Sequence, residues 1–232
     1  IIMLFIGAVL LNLPMSSRNG ESIGFIDALF TSTSASCVTG LISTDTGSHW
    51  TFFGHLIIIC LIQVGGLGFI SIGVFFAIIL RRKIGLRMRG LLKESISSLE
   101  IAGVVKLTKR ILYGTVLIEC IGAALLAIRF IPEFGLLKGI WYGIFHSISA
   151  FCNAGFDLLG VKYGKYCSLT PYCSDWLVNL VIMLLIIIGG IGFVVWTDVI
   201  KYKFRFSKYR LHSKIAIMMT LILIISGALL FL

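Results

Sequence analysis

The sequence predicts an all-α membrane protein built from tandem units of helix, re-entrant loop and helix. Three observations carry that expectation. Of 232 residues, 58% are hydrophobic and only 13% charged, whereas about a quarter of a soluble domain is charged. The mean hydropathy is +1.04. The apolar residues gather into stretches of membrane-spanning length, and two polar segments between them resemble each other.

Ile1–Leu13 is apolar up to Pro14 and reads as a first helix, with a signal peptide as the weaker alternative because no basic flank precedes it. Phe52–Leu80 has no formal charge over 29 positions. Ile111–Ile131, Trp176–Trp196 and Ile215–Leu232 are further stretches. A bilayer core takes roughly 20 apolar residues as a helix, so five spans are expected, the first and last cut short.

The net charge of +10 is concentrated. Residues 81–110 hold nine Lys and Arg, and residues 201–214 hold six, out of 20 in the chain. Basic loops face the cytoplasm, which places residues 14–51 and 132–175 outside. Juxtamembrane basic segments suit topology and lipid headgroups, so no nucleic-acid partner is expected.

The polar segment "TSTSASCVTGL" (31–41) aligns with "HSISAFCNAGF" (146–156) at an offset of 115, pairing Ser32 with Ser147, Ser34 with Ser149, Cys37 with Cys152 and Gly40 with Gly155. "GGLGF" (65–69) answers "GGIGF" (189–193) at an offset of 124. The second unit therefore has the longer connection, at 157–175. Each polar segment follows a helical candidate, Ser22–Ser34 or Leu137–Ser149, of about thirteen residues. At 1.5 Å per residue that is about 20 Å, too short to cross. Entry and exit on one side make a re-entrant loop, tolerated at membrane depth only where it is buried in protein or lines a watery cavity.

A half-helix entering from outside aims its C-terminal carbonyls, and their partial negative charge, at the membrane centre. The returning residues Val38, Thr39 and Gly40, and Asn153, Ala154 and Gly155, can present carbonyl oxygens that replace a cation's hydration shell. Glycine at 40 and 155 permits the backbone angles this needs. A pair of small-residue packing turns is the competing reading. Gly65, Gly66, Gly68, Gly189, Gly190 and Gly192 read as close helix packing or as hinges.

Together "IDALFTSTSASCVTGL" (26–41), "TFFGHLIIICLIQVGGLGF" (51–69), "FHSISAFCNAGFDLL" (145–159) and "YRLHSKIAI" (209–217) resemble the Trk/Ktr/HKT potassium transporters, closest to the bacterial Ktr/Trk membrane subunit. The resemblance implies four potassium-channel-like helix–pore-loop–helix repeats around one pore. It also implies one glycine per filter loop, matched by Gly40 and Gly155, and K+ uptake across the plasma membrane, in some members with Na+ dependence. Bacterial members sit on a cytosolic ring of nucleotide-binding regulatory subunits. Against that architecture the chain divides into a first repeat (1–80), a basic cytoplasmic loop (81–110), a second repeat (111–200), a second basic loop (201–214) and the first helix of a third repeat (215–232). About half of the family architecture is present, so the expectation is a fragment that does not conduct alone and needs further pore repeats or a second membrane subunit. A non-conducting accessory subunit is the alternative. No enzyme is expected, because no nucleophile–base spacing, metal motif or phosphate-binding glycine loop is found, and no cofactor beyond the transported K+ or Na+.

Individual residues are read as follows. Cys37 and Cys152 are small buried residues behind the filter, and Cys60 and Cys120 pack within spans. Cys167 and Cys173 form a disulfide or stay free thiols. Glu119, the one acidic residue near a span centre, is functional by default or reaches a polar neighbour. His146 packs, and Asp45, Asp157 and Asp175 are solvated loop residues near a pore mouth.

Overall fold

The computed structural model describes residues 1–68, 104–203 and 205–230, and among these it is all-helical, with no strand and one isolated β-bridge between Ser17 and Trp50. In order the helices are α1 (Ile2–Leu11), α2 (Phe25–Ser36), α3 (Thr46–His49), α4 (Phe52–Leu67), α5 (Val104–Phe134), α6 (Leu136–Phe151), α7 (Gly160–Tyr163), α8 (Trp176–Gly190), α9 (Phe193–Tyr202) and α10 (Leu211–Leu230), with 3-10 turns at Pro14–Ser16, Thr170–Tyr172 and Phe206–Lys208. Two of the described helices, Thr108–Phe134 within α5 and α10, are each long and apolar enough to cross a membrane. Helices α8 and α9 meet that measure only as one bent pair, while α1 and α4 are shorter apolar helices. The far part of the expected 52–80 span and the 81–103 segment lie outside the described residues.

Two compact units divide the chain, Ile1–Phe69 with Val116–Ile186, and Ile70–Thr115 with Ile187–Leu232. In the first unit, α1 packs on α2 and α4 because Gly7 has no side chain. A Cβ there would lie 2.4 Å from Ser32 Oγ and 2.9 Å from a Leu61 methyl. The Ser32 hydroxyl donates to the Leu4 carbonyl at 2.9 Å. The same arrangement recurs where α5, α6 and α8 meet. A Cβ on Gly122 would lie 2.6 Å from Ser147 Oγ and 2.8 Å from a Leu185 methyl, and Ser147 donates to the Glu119 carbonyl at 2.7 Å. Gly7, Leu4 and Ser32 match Gly122, Glu119 and Ser147 at an offset of 115, and Leu61 matches Leu185 at 124. Small residues at such crossings let backbones approach.

Helix starts and stops follow local chemistry. The Thr51 hydroxyl accepts the Gly54 N–H and donates to the Met15 carbonyl, capping α4. Gly68, with φ +80°, ends it. Gly135, with φ +82°, separates α5 from α6 in a single residue, so the helix expected at 137–149 runs from 136 to 151.

The connections after α2 and α6 are docked, which corrects the reading of their aspartates as solvated. Asp45 is 3% exposed. It caps α3 by accepting the Ser48 N–H at 2.7 Å and accepts the Tyr166 N–H at 2.9 Å. Its carboxylate fills the space a Cβ on Gly160 would need, 2.2 Å away, and a Cβ on Gly47 would meet the Leu158 carbonyl at 2.4 Å. Asp175 caps α8 through the Val178 N–H and pairs with Arg129. Asp157 accepts the Leu159 N–H at 3.1 Å. Burial raises its pKa above the usual carboxylate value against the lowering effect of that hydrogen bond.

In the second unit the expected span 176–196 is broken. Helix α8 stops at Gly190, Gly192 takes φ +93°, and α9 begins at Phe193. Glycines cost a helix about 1 kcal/mol each, and here the Trp196 indole N–H satisfies the Ile188 carbonyl that the break would orphan. Asp198, 1% exposed, accepts the Arg210 N–H at 2.9 Å and the Ser213 hydroxyl at 2.7 Å. A carboxylate at the start of α10 suits the positive end of the helix dipole.

Replacing Gly7 or Gly122 with Ala should cost about 1–3 kcal/mol each, since the new methyl displaces a hydrogen-bonded serine and a packed leucine. Gly227→Ala, with nothing within 4 Å of the added Cβ, serves as the control. Thermal unfolding in detergent should show two similar losses and an unchanged control; unequal losses would mean the two crossings are not alike.

Candidate functional site

The two glycine-containing loops begin at the C-termini of α2 and α6, and both helices end the same way. The Cys37 N–H reaches the Thr33 carbonyl at 2.8 Å, the Val38 N–H reaches Ala35 at 3.3 Å, and the Thr39 N–H reaches Ser34 at 3.0 Å. At the second helix the Cys152 N–H reaches Ile148 at 2.9 Å, the Asn153 N–H reaches Ala150 at 3.0 Å, and the Ala154 N–H reaches Ser149 at 2.7 Å. This is the Schellman cap, in which a left-handed residue folds the chain back on the last helical turn. Val38 (φ +51°) and Asn153 (φ +59°) are those residues. Asparagine tolerates this conformation, but a β-branched valine there is an outlier. Such positions cost on the order of 1–3 kcal/mol and cluster at functional segments.

Two residues further on, Gly40 and Gly155 are again left-handed, at φ +73° and +72°. Each loop is also tied by a serine of its own helix. Ser34 Oγ and Thr39 Oγ1 lie 2.9 Å apart, and the Ser149 hydroxyl donates to the Phe156 carbonyl at 2.7 Å. The caps occupy the carbonyls of Ser34, Ala35, Ser149 and Ala150, so the helix ends offer fewer open carbonyls to a cation than the sequence suggests.

The structure brings the two loops together at their glycines. The Ala154 carbonyl is directed at the first loop: a Cβ on Gly40 would lie 2.6 Å from its oxygen. A Cβ on Gly155 would meet only the Gly40 Cα, at 3.7 Å. Thr39, Asn153 and Gly155 are exposed, Ala154 is buried, and Val38 and Gly40 are half-buried. Of the other sequence-selected glycines, Gly65 and Gly66 back these loops: a Cβ on Gly65 would lie 2.0 Å from the Ser36 carbonyl oxygen, and one on Gly66 2.5 Å from Cys152 Sγ. Gly68 and Gly192 are positive-φ turn residues, and Gly189 and Gly190 lie in the last turn of α8.

Cys152 is buried as expected, but Cys37, Cys60 and Cys120 are exposed, the last two because they face outward from apolar helices. Cys167 and Cys173 are free thiols. His146 is 2% exposed, with Nδ1 2.7 Å from the Tyr142 carbonyl and Nε2 accepting the Leu158 N–H, so it packs between α6 and the following loop. Glu119, 6% exposed, takes the Gln63 amide on both oxygens, at 2.9 and 3.1 Å. Gln63 escaped the sequence reading, although an amide inside the apolar 52–80 stretch was a legible signal.

Paired loops of this kind within apolar helices define a class of membrane protein, and comparison with known proteins gives its family. Residues 5–232 match the TrkH family, described as cation transport protein, and the chain belongs to that family. It is 49% identical over 231 residues to the potassium/sodium uptake protein NtpJ of Enterococcus hirae, covering 100% of this chain and 50% of the relative. It is 45% identical to the Ktr system potassium uptake protein B of Bacillus subtilis, covering 95% and 47%, and 39% identical to that of Vibrio alginolyticus, covering 97% and 48%. The chain thus spans about half the length of these relatives.

The two glycines are not equivalent to substitution. Gly155→Ala should cost about 1–2 kcal/mol, the left-handed penalty alone. Gly40→Ala adds a backbone collision and should cost roughly 1–3 kcal/mol more. Thermal stability of the two variants in the full-length protein checks this, and equal losses would show that the loops do not touch at Gly40.

Proposed function

We propose that this chain supplies two of the pore repeats of a potassium uptake transporter, with Val38, Thr39, Gly40, Asn153, Ala154 and Gly155 offering backbone oxygens to a dehydrated K+. The observation that carries the reading is the pair of loops that leave their helices through the same left-handed cap and place a left-handed glycine two residues later. Left-handed residues reverse the carbonyl direction relative to extended neighbours, which is what a ring of carbonyls around an ion requires. Membership of a cation transport family and the potassium uptake named for the relatives support the same ion. The matching contacts at Gly7 and Gly122 support two equivalent repeats, at 1–80 and 111–200.

In this reading α2 and α6 are pore helices that enter from outside, and the protein lies in the plasma membrane with the basic loops 81–110 and 201–214 in the cytoplasm. Residues 215–232 open a third repeat. Two repeats leave filter backbone unsatisfied on one side, so conduction needs further pore repeats. The cytoplasmic loops face a cytosolic nucleotide-binding ring, and Na+ accompanies or modulates K+.

Gly40→Ser and Gly155→Ser in the full-length protein, at wild-type membrane level, should change the relative uptake of K+ and Na+ before they abolish assembly. Unchanged affinity for both ions would leave the loops as packing turns. Orientation is checked separately: with the native cysteines replaced by serine, a single cysteine at Ser207 should resist an impermeant thiol reagent applied from outside, and rapid labelling would reverse the topology.

A further inference from the structure

Glu119 sits within the apolar Thr108–Phe134 segment, where a carboxyl group is expensive. The fold does not need it there. At the aligned position in the first half, Leu4 performs the same backbone task, its carbonyl accepting Ser32 as that of Glu119 accepts Ser147. The side chain of Glu119 does something further. Both its oxygens accept from Gln63 Nε2, at 2.9 and 3.1 Å. Carboxylate oxygens that accept fix the direction of the amide, because the NH2 must face them. The carbonyl end of Gln63 is thereby turned to Cys152, whose thiol lies 3.9 Å away as donor. Gly66 leaves the room for that thiol: a Cβ there would lie 2.5 Å from the sulfur. Cys152 is the last residue before the left-handed Asn153, where the second loop leaves α6.

We propose that Glu119, acting through Gln63 and Cys152, is a positioning residue that sets the geometry of the second loop and so the cation it prefers. The proposal rests on the reading of that loop as part of an ion filter. In the first half the residue aligned with Glu119 is Leu4, which has no carboxyl, and Cys37, aligned with Cys152, is exposed. The two loops are therefore unequal: each is tied by a serine of its own helix, and the second is held in addition through Glu119, Gln63 and Cys152. A thiol–amide contact is weak, but a filter chooses between ions by small differences in carbonyl placement.

The test is K+ against Na+ uptake in the full-length protein, at matched membrane level, with Gly155→Ser as the reference for the filter. Glu119→Leu and Cys152→Ala should each shift the ion preference by about threefold or more, the scale of one hydrogen bond. Cys152→Ser, which keeps a donor, should stay near wild type. The exchange Glu119→Gln with Gln63→Glu restores a carboxyl–amide pair and should recover part of the preference, which a purely structural role would not predict. A shift with Gly155→Ser but none with Glu119→Leu overturns the relay and leaves the filter standing. No shift with Gly155→Ser removes the filter reading and the relay with it. If Glu119→Leu fails to reach the membrane, the Cys152 pair decides: equal preference in Cys152→Ala and Cys152→Ser overturns the proposal.

Discussion

The hydrogen bonds from Thr39 N–H to the Ser34 carbonyl and from Ala154 N–H to the Ser149 carbonyl are the constraint on which the site depends. Each turns the chain back at the end of a short helix without lengthening it. A helix that ended in the usual frayed way would leave its final carbonyls open. It would also send the chain onward rather than back toward the neighbouring helices. With the cap formed, the following residues lie close enough for Ser34 and Ser149 to hold them, and for the two glycines to meet.

That arrangement works only because the surrounding helices are trimmed to receive it. Gly65 and Gly66 on α4 stand against the Ser36 carbonyl and the Cys152 thiol, and any side chain at either position would occupy the same space. Gly7 and Gly122 do likewise for the serines that brace α2 and α6. Glycines weaken a helix in isolation, and here the loss is offset by close contact between backbones. The docked aspartates extend the same principle to the connections. Asp45 joins three backbone segments by accepting Ser48 and Tyr166 and by filling the gap at Gly160.

The apolar lateral surface is the other half of the design. Tyr113, Val116, Leu117, Ile121, Leu125 and Ile128 leave one side of α5 uncovered, and most of α10 is exposed. In water such surface would be a liability. In a bilayer it meets hydrocarbon, while Ser34 and Ser149 satisfy part of the polar groups of the loops inside the protein.

Composition and charge alone determined that the chain belongs in a membrane, and the offsets of 115 and 124 determined which residues align between its two halves. Those features are local, so they are readable from the order of residues. The tertiary structure decided what depends on neighbours distant in sequence. It placed a Schellman cap on Val38, which no propensity favours because a β-branched side chain resists left-handed backbone. It broke the 176–196 stretch at Gly192, where Trp196 could satisfy the exposed carbonyl of Ile188. It buried Asp45, which looks like an ordinary loop aspartate until Tyr166 and Gly160 are brought to it. It also joined Glu119 to Gln63, 56 residues away in the chain, by supplying the buried partner that a carboxyl among apolar residues demands.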